Sequence, residues 1–251
     1  MKGNADPCGC FPTGKHYPGI AHLVRVQATG IVSGLDADAP WEDLPIALLD
    51  VETTGRDAAT ERIVELGIVV GRRGEVLARH TWLVNPERPI PDEAKAVHGI
   101  SDEMVQDKPL FAAIVPELFA VLSEVVPAAY NASFDKGFVL GELERAGVDF
   151  DALPPPLARS VEWVDPLVWA RELQKYEKGK TLSDVTARLG ISIESAHRAS
   201  DDAEAALRVL WAFASDVRLP KTYAALLAEQ KRLSRQQDEE RSRWQSRKGP
   251  K

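Results

Sequence analysis

The sequence predicts a mixed α/β fold in which helices cover the faces of a single sheet. Three strand-like segments come first, at residues 46–49, 62–70 and 76–84, with a turn signal at residues 72–74 between the last two. Helical and strand-like segments then alternate along the chain. Hairpin-connected strands followed by such an alternation are typical of a partly antiparallel, partly parallel sheet.

The remaining elements follow in chain order. They are a helix at 111–122, a strand at 125–130, a helix at 134–146, a fifth strand at 161–164, short helices at 166–173 and 182–189, and an amphipathic helix over 203–217. The last is the strongest helical pattern, because Ala203, Ala206, Leu207, Leu210 and Phe213 recur at the spacing of one helix face.

Composition divides the 251 residues into three parts. Residues 1–44 form a glycine- and proline-rich N-terminal extension, residues 45–217 carry the predicted elements, and residues 218–251 form a basic, polar tail that is helical or disordered. Nine Lys or Arg and four Asp or Glu lie between Lys221 and Lys251. Because this tail is polar nearly all round, a solvated helix or a disordered segment is favoured over a docking helix.

Composition also excludes several classes of protein. The longest apolar runs fall short of the roughly 18 residues that a membrane span needs, and the first residues do not resemble a signal peptide, so we expect a cytoplasmic protein with no membrane contact. A net charge of −7 argues against a passive nucleic-acid coat, although it permits an enzyme that meets phosphate through bound cations. Cys8 and Cys10 are too close for a disulfide framework, and with His16 and His22 they fit no common zinc spacing.

Two acids at the end of the first predicted strand form a candidate site. Asp50 and Glu52 stand at i and i+2, which places both carboxylates on one face of a strand, about 6.6 Å apart. If the strand instead ends at Leu49, both acids are simply solvated. Residues 53–55 follow as a tight turn whose backbone can approach a ligand closely.

Other acids stand at predicted helix starts. Asp135 follows the strand at 125–130, and Asp201 and Asp202 follow Ser200, a predicted N-cap. Each alone fits an ordinary helix start, since an acid there complements the helix dipole. However, ligand sites of open α/β sheets form where the carboxyl ends of neighbouring strands meet. Convergent carboxylates repel one another unless divalent cations intervene, and two Mg²⁺ or Mn²⁺ ions about 3.5 to 4 Å apart can clamp a phosphodiester.

His197 completes the candidate set. It precedes Asp202 by five residues, or about 500° around a helix, so both can face one site only if His197 lies in the loop before the helix. A loop histidine that titrates near neutral pH is a suitable general base for an attacking water.

At these positions the chain resembles the DEDD superfamily of 3′-to-5′ exonucleases, and within it the histidine branch, which includes the proofreading epsilon subunit of bacterial DNA polymerase III. Residues 50–55 (DVETTG) resemble the first exonuclease motif, residues 131–135 (NASFD) the second, and residues 197–202 (HRASDD) the third. Arg198 stands where the tyrosine branch has Tyr, and Tyr130 stands where a histidine is expected before the second motif.

The resemblance implies a ribonuclease H-like mixed sheet of five strands flanked by helices. It implies metal ligands for two Mg²⁺ or Mn²⁺ ions at Asp50, Glu52, Asp135 and Asp202, a general base at His197, and substrate-binding residues at Thr53, Thr54, His98 and Asn131. The segment 98–101 is similar to one that borders the nucleotide pocket, although a histidine before Gly99 also fits an ordinary helix end.

The function so implied is metal-dependent release of nucleotides from a 3′ end, most simply that of single-stranded DNA, by an enzyme that acts alone or as a DNA polymerase subunit. One alternative is an exoribonuclease that trims RNA ends, because recognition of a 2′-hydroxyl depends on pocket shape. Another is a catalytically idle module that binds nucleic acid or a polymerase. The presence of all five implied catalytic and metal-binding residues favours the enzyme.

Overall fold

The computed structural model describes residues 30–192 and 198–248, with side chains through residue 246. Strands β1 (Ile46–Thr53), β2 (Ile63–Arg72) and β3 (Glu75–Leu83) form an antiparallel meander, and β4 (Val126–Ala129) pairs with β1 in parallel. The strand order is β3-β2-β1-β4. The predicted mixed α/β class is therefore confirmed.

The burial pattern explains the central position of β1 and the edge position of β3. Residues 46–49 of β1 are at most 1% exposed, as expected of a central strand that is covered on both faces. In β3, exposed residues alternate with partly buried ones, which is typical of an edge strand with one face in solvent.

The fifth strand predicted at 161–164 is wrong, because among the described residues the sheet has four strands. Val164 makes a single parallel bridge with Ala128. A turn closed by the N–H of Val161 on the carbonyl of Ala158 precedes this bridge, and Pro166 begins a helix directly after it. Too few extended residues remain between the two for a ladder, and proline cannot donate to one.

Eight α-helices flank the sheet in the described part of the chain. They are α1 (Asp92–His98), α2 (Asp102–Val105), α3 (Phe111–Val121), α4 (Ala132–Arg145), α5 (Pro166–Leu173), α6 (Leu182–Leu189), α7 (Ala199–Phe213) and α8 (Tyr223–Lys248). Helix α7 packs on β1 and β2, α5 and α6 pack on α7, and α4 packs on β1, β4 and α3.

The first half of α8 is docked on the rest of the chain rather than solvated. Its buried side chains recur every three or four residues and are Tyr223, Leu226, Leu227, Gln230 and Leu233. This stripe covers only the first three turns. Because the second half of the segment is polar, the average polarity of the whole segment does not reveal the stripe. The structure therefore differs from the solvated helix or disordered tail that the sequence favours.

Residues 30–44 pack beside the start of α8. Pro40 bridges to Thr222, the indole N–H of Trp41 donates to the Pro220 carbonyl at 3.0 Å, and the Val32 N–H donates to the Tyr223 hydroxyl at 3.3 Å. The boundaries at residues 44 and 217 stay a prediction. In the described part of the chain, every helix is too short or too polar to cross a bilayer.

Candidate active site

The candidate site lies at the carboxyl end of β1. Asp50 pairs with Gly67 and Glu52 with Glu65 in the β1–β2 ladder. Because side chains alternate along a strand, Asp50 and Glu52 share one face and Val51 points to the other. Strand β1 therefore continues past the apolar run, so Asp50 and Glu52 belong to the strand rather than to a solvated segment after Leu49.

Helix α7 brings a third acid to this face. One carboxylate oxygen each from Asp50, Glu52 and Asp202 lie within 4.8 Å of one another, and we call these three residues the carboxylate cluster. The neighbouring Asp201 lines a different cavity, of about 850 Å³, together with Arg79 and Glu204. Adjacent residues on a helix differ by 100° in direction, so only one of the two acids reaches the sheet.

Asp135 stands in the first turn of α4, directly after β4, and is only 3% exposed. Its Oδ1 accepts the backbone N–H of Val51 at 3.1 Å, which fixes the carboxyl group against β1 between the two acids of that strand. Asp135 thus adjoins the carboxylate cluster without belonging to it.

Burial and mutual repulsion shift the pKa values of these acids upward. Burial raises the pKa of Asp50 well above its ordinary value, and the charges of Asp135, Glu52 and Asp202 add to the effect. Burial likewise raises the pKa of Asp135. Burial, followed by the charges of Asp202 and Glu65, raises the pKa of Glu52 to about 7.

This electrostatic arrangement fits divalent cations. Carboxylates that repel one another in a buried place cannot all stay ionised without a nearby positive charge. The donors are all carboxylate oxygens, the ligands that Mg²⁺ and Mn²⁺ prefer. The residues present therefore suit the metal ions that the sequence predicts.

Glu65, which the motifs did not indicate, connects β2 to the start of α7. It is fully buried, forms an ion pair with Arg198 at 2.7 Å, and accepts the Ala199 N–H at 3.0 Å. It thereby holds the first residues of the helix that carries Asp202. The available signal was an acid inside the apolar run of β2, where a buried carboxylate requires partners.

Thr53 and Thr54 are buried, and their hydroxyls stabilise the turn after β1. The Thr53 hydroxyl donates to the Gly55 carbonyl at 2.5 Å, and the Thr54 hydroxyl donates to Glu61 at 2.5 Å while accepting the Arg62 N–H at 3.0 Å. These bonds fix the backbone of residues 53–55 beside the carboxylate cluster. A role in substrate binding stays a prediction for both residues.

His98 ends α1 and is 6% exposed. Its Nδ1 accepts the N–H of Ile100 at 3.0 Å, so a neutral ring carries its proton on Nε2. Nε2 makes no hydrogen bond of normal geometry with a described residue, although it lies near the backbone of Thr53. Burial lowers the pKa of the imidazole, and Thr53 and Glu65 offset part of this shift. Gly99 adopts the left-handed conformation with a φ of 70°, so His98 and Gly99 also form an ordinary helix C-terminus.

Asn131 stands between β4 and α4 in the left-handed region, with a φ of 75°. Its backbone N–H donates to Asp165 Oδ1 at 2.9 Å, and the residue lines a cavity of about 350 Å³ outside the carboxylate cluster. It therefore belongs to the same end of the sheet as the acids, and its contact with substrate stays a prediction.

His197 lies outside the described residues, as do Cys8, Cys10, His16 and His22. Arg198, the next residue in the chain, is described and is held by Glu65. The general-base assignment of His197 stays a prediction.

Comparison with known proteins assigns the chain to a family. Residues 48–210 match the exonuclease family RNase_T. The chain is 30% identical over 203 residues to the DNA polymerase III PolC-type protein of Halalkalibacterium halodurans, covering 79% of this chain and 14% of that protein. It is also 30% identical over 177 residues to the DNA polymerase III subunit epsilon of Treponema pallidum, covering 68% of this chain and 77% of the subunit.

A similar fold occurs in a solved structure of exonuclease X in complex with 5′ overhanging duplex DNA. The TM-score is 0.53 and the identity 24%, and the match covers 72% of this chain and 99% of the other. The present chain spans only about a seventh of the PolC-type protein that it matches, at 14% of its length.

Proposed function

Because the chain belongs to the exonuclease family RNase_T, within the DEDD superfamily, we propose that it hydrolyses single-stranded DNA from the 3′ end. The observation that carries this proposal is the carboxylate cluster, in which oxygens of Asp50, Glu52 and Asp202 lie within 4.8 Å of one another. DNA is favoured over RNA because the relatives are DNA polymerase III proteins.

The carboxylate cluster and Asp135 are the residues that would hold two Mg²⁺ or Mn²⁺ ions. Once bound, such ions neutralise the acids and stabilise the negative charge that develops on the phosphate during hydrolysis. Asp50 and Glu52 are fixed by the β1–β2 ladder, Asp202 by the first turn of α7, and Asp135 by its bond to Val51. The chain thus holds its acids in place before any ligand arrives.

The other residues bind the nucleotide and handle the proton. His197 takes a proton from the attacking water, and the ion pair between Arg198 and Glu65 anchors the chain directly after it. His98 borders the terminal nucleotide from the end of α1, next to Thr53, and burial lowers the pKa of its imidazole. Thr53, Thr54 and Asn131 border the same nucleotide through the turn after β1 and the start of α4.

The test uses the purified full chain on DNA and RNA oligonucleotides of one sequence, labelled at either end. With Mg²⁺, we expect single nucleotides to be released from the 3′ end of DNA, and we expect EDTA to abolish this release. Asp50→Asn should be inactive, and Asp201→Asn, a matched acid outside the carboxylate cluster, should be active. Release from the 5′ end, activity in EDTA, or activity on RNA alone would overturn the proposal.

We further propose that the enzyme works on the 3′ ends that a DNA polymerase III produces in the cytoplasm. The relatives named above support this setting. Size-exclusion chromatography with a purified polymerase III catalytic subunit tests it, since a stable complex predicts co-elution.

A further inference from the structure

A cleft lies where α8 crosses the first turn of α4 and the helix α5. Its cavity measures about 350 Å³. A second cavity of about 390 Å³ shares Arg171, Gln237 and Arg241 with it, so these residues stand at the centre of one groove. Helix α8 begins at Tyr223, beyond the residues 48–210 that match the exonuclease family.

Arg171 is a half-buried cation without a bonded partner in the described chain. Neither it nor Arg241 forms a hydrogen bond or ion pair with a described residue, although ion pairs occur at many other arginines. Burial lowers the pKa of Arg171, and the charge of Arg241 lowers it further. Two guanidinium groups that face one cleft without a bound carboxylate are complementary to an anion with several oxygens.

The acids of the cleft do not fill this role. The carboxylate of Asp165 accepts three backbone N–H groups, from Asn131, Ala132 and Leu167. Glu162 lies near Lys136, whose ammonium donates to backbone carbonyls. The charges of Asp165 and Asp238 act on Arg171 and offset part of the repulsion from Arg241. Neither acid forms an ion pair with the two guanidinium groups within the described chain, so these groups keep hydrogen-bond donors that a ligand can use.

The cleft is close to the proposed reaction site. Residues 131–133 form one of its walls, and Asp135 follows in the same first turn of α4, within about 6 Å along the helix axis. The first turn of α4 thus connects the cleft to the proposed reaction site, and a substrate strand whose 3′ end lies at the carboxylate cluster can leave along it. Its backbone carries one phosphodiester anion per nucleotide.

From this placement we propose that Arg171 and Arg241 bind a phosphodiester of the substrate strand, upstream of the 3′-terminal nucleotide. The inference rests on the proposed function, because it takes the 3′ end to lie at the carboxylate cluster. It makes α8, which lies outside the residues that match the exonuclease family, a substrate-binding element. Binding by such contacts weakens as salt rises, because each neutralised phosphate releases counterions.

The test compares Arg171→Gln, Arg241→Gln and the double variant with Arg243→Gln, a control on the same helix whose guanidinium is exposed and paired with Glu239. The first readout is binding of fluorescein-labelled dT12 in EDTA over a range of salt. We expect each cleft variant to bind about tenfold more weakly and to flatten the salt slope by about 0.7, the value for one phosphate contact on a single strand. The control should change neither quantity.

The second readout is hydrolysis of the p-nitrophenyl ester of thymidine 5′-monophosphate, which has no upstream nucleotide. Unchanged turnover of this ester shows that the variants are folded and that the reaction site is intact. If the cleft variants bind dT12 as Arg243→Gln does, the inference is wrong while the proposed function stands. If the wild type hydrolyses neither this ester nor, with Mg²⁺, dT12 itself, the proposed function fails, and binding of dT12 in EDTA then decides the cleft by itself.

Discussion

Gly67 of β2 lies directly opposite Asp50 of β1 and lets the first turn of α7 approach the sheet. A Cβ atom at position 67 would lie less than 3.0 Å from the backbone of both Ala199 and Ser200. Backbone atoms of a packed helix cannot move aside as a flexible side chain can. The missing side chain at position 67 is therefore a condition for the distance between Asp50 and Asp202.

Gly67→Ala should displace α7 and separate Asp202 from β1. We expect a loss of stability of about 1 to 3 kcal/mol, the usual effect of overpacking, and a loss of metal affinity. Urea unfolding and Mn²⁺ titration by calorimetry measure the two effects. Gly137→Ala is the matched control, because its Cβ would meet Ala58 at an ordinary 3.6 Å and alanine favours the helix. Equal Mn²⁺ affinity in both variants would refute the role of Gly67.

Substitution of Asp202 should reduce activity and metal binding far more than substitution of its neighbour Asp201. Asp202 belongs to the carboxylate cluster and Asp201 lines the cavity beside Arg79. Asp202→Asn should abolish exonuclease turnover and weaken Mn²⁺ binding, whereas Asp201→Asn should retain both. Circular dichroism checks that each variant is folded, and similar losses in two folded variants would contradict the assignment.

The raised pKa of Glu52 predicts a pH dependence of the metal-free protein. In the folded state this carboxyl has a pKa of about 7, against an ordinary value of 4.5. Proton binding therefore favours the folded state, and its contribution is fully present below pH 4.5 and lost as the pH rises to 7. The free energy of unfolding of the wild type in EDTA, taken relative to that of Glu52→Gln, should therefore fall by up to about 3 kcal/mol across this window.

Urea unfolding between pH 4.5 and 8 measures this difference. Asp216→Asn is the control, because Arg218 lowers the pKa of Asp216 to about 2 and its contribution disappears only in more acidic solution. The difference in free energy of unfolding between the wild type and this control variant should stay constant across the window. A constant difference between wild type and Glu52→Gln as well would mean that Glu52 is ionised in the metal-free protein.

His197→Ala tests the assignment of the general base to His197. The loss of a general base typically reduces turnover by about 10² to 10⁴-fold, and the neutral form of the ring is the active one. We therefore expect a large loss of turnover with Mn²⁺ affinity retained, and a wild-type rate that falls as the pH drops through about 6.5. A loss of Mn²⁺ affinity as severe as that of Asp50→Asn would make His197 a ligand or a structural support.

The convergence of Asp50, Glu52 and Asp202 could be predicted from the sequence, because sites of open α/β sheets collect at strand ends. The role of Glu65 could not be predicted, because it depends on a contact with Arg198, which lies 133 residues further along the chain. The prediction of a fifth strand was wrong for a local reason, because a helix begins at Pro166. The docking of α8 depends on an apolar stripe of three turns whose partner surface the sequence does not reveal.

Anomalous diffraction from crystals soaked in Mn²⁺ tests whether the carboxylate cluster is a divalent-metal site. We expect a Mn²⁺ peak contacted by carboxylate oxygens of Asp50, Glu52 and Asp202, and we expect this peak to disappear in Asp202→Asn crystals. If crystals of a protein that degrades DNA in solution bind Mn²⁺ elsewhere and leave this cluster without a peak, the carboxylate cluster is not the metal site of the enzyme.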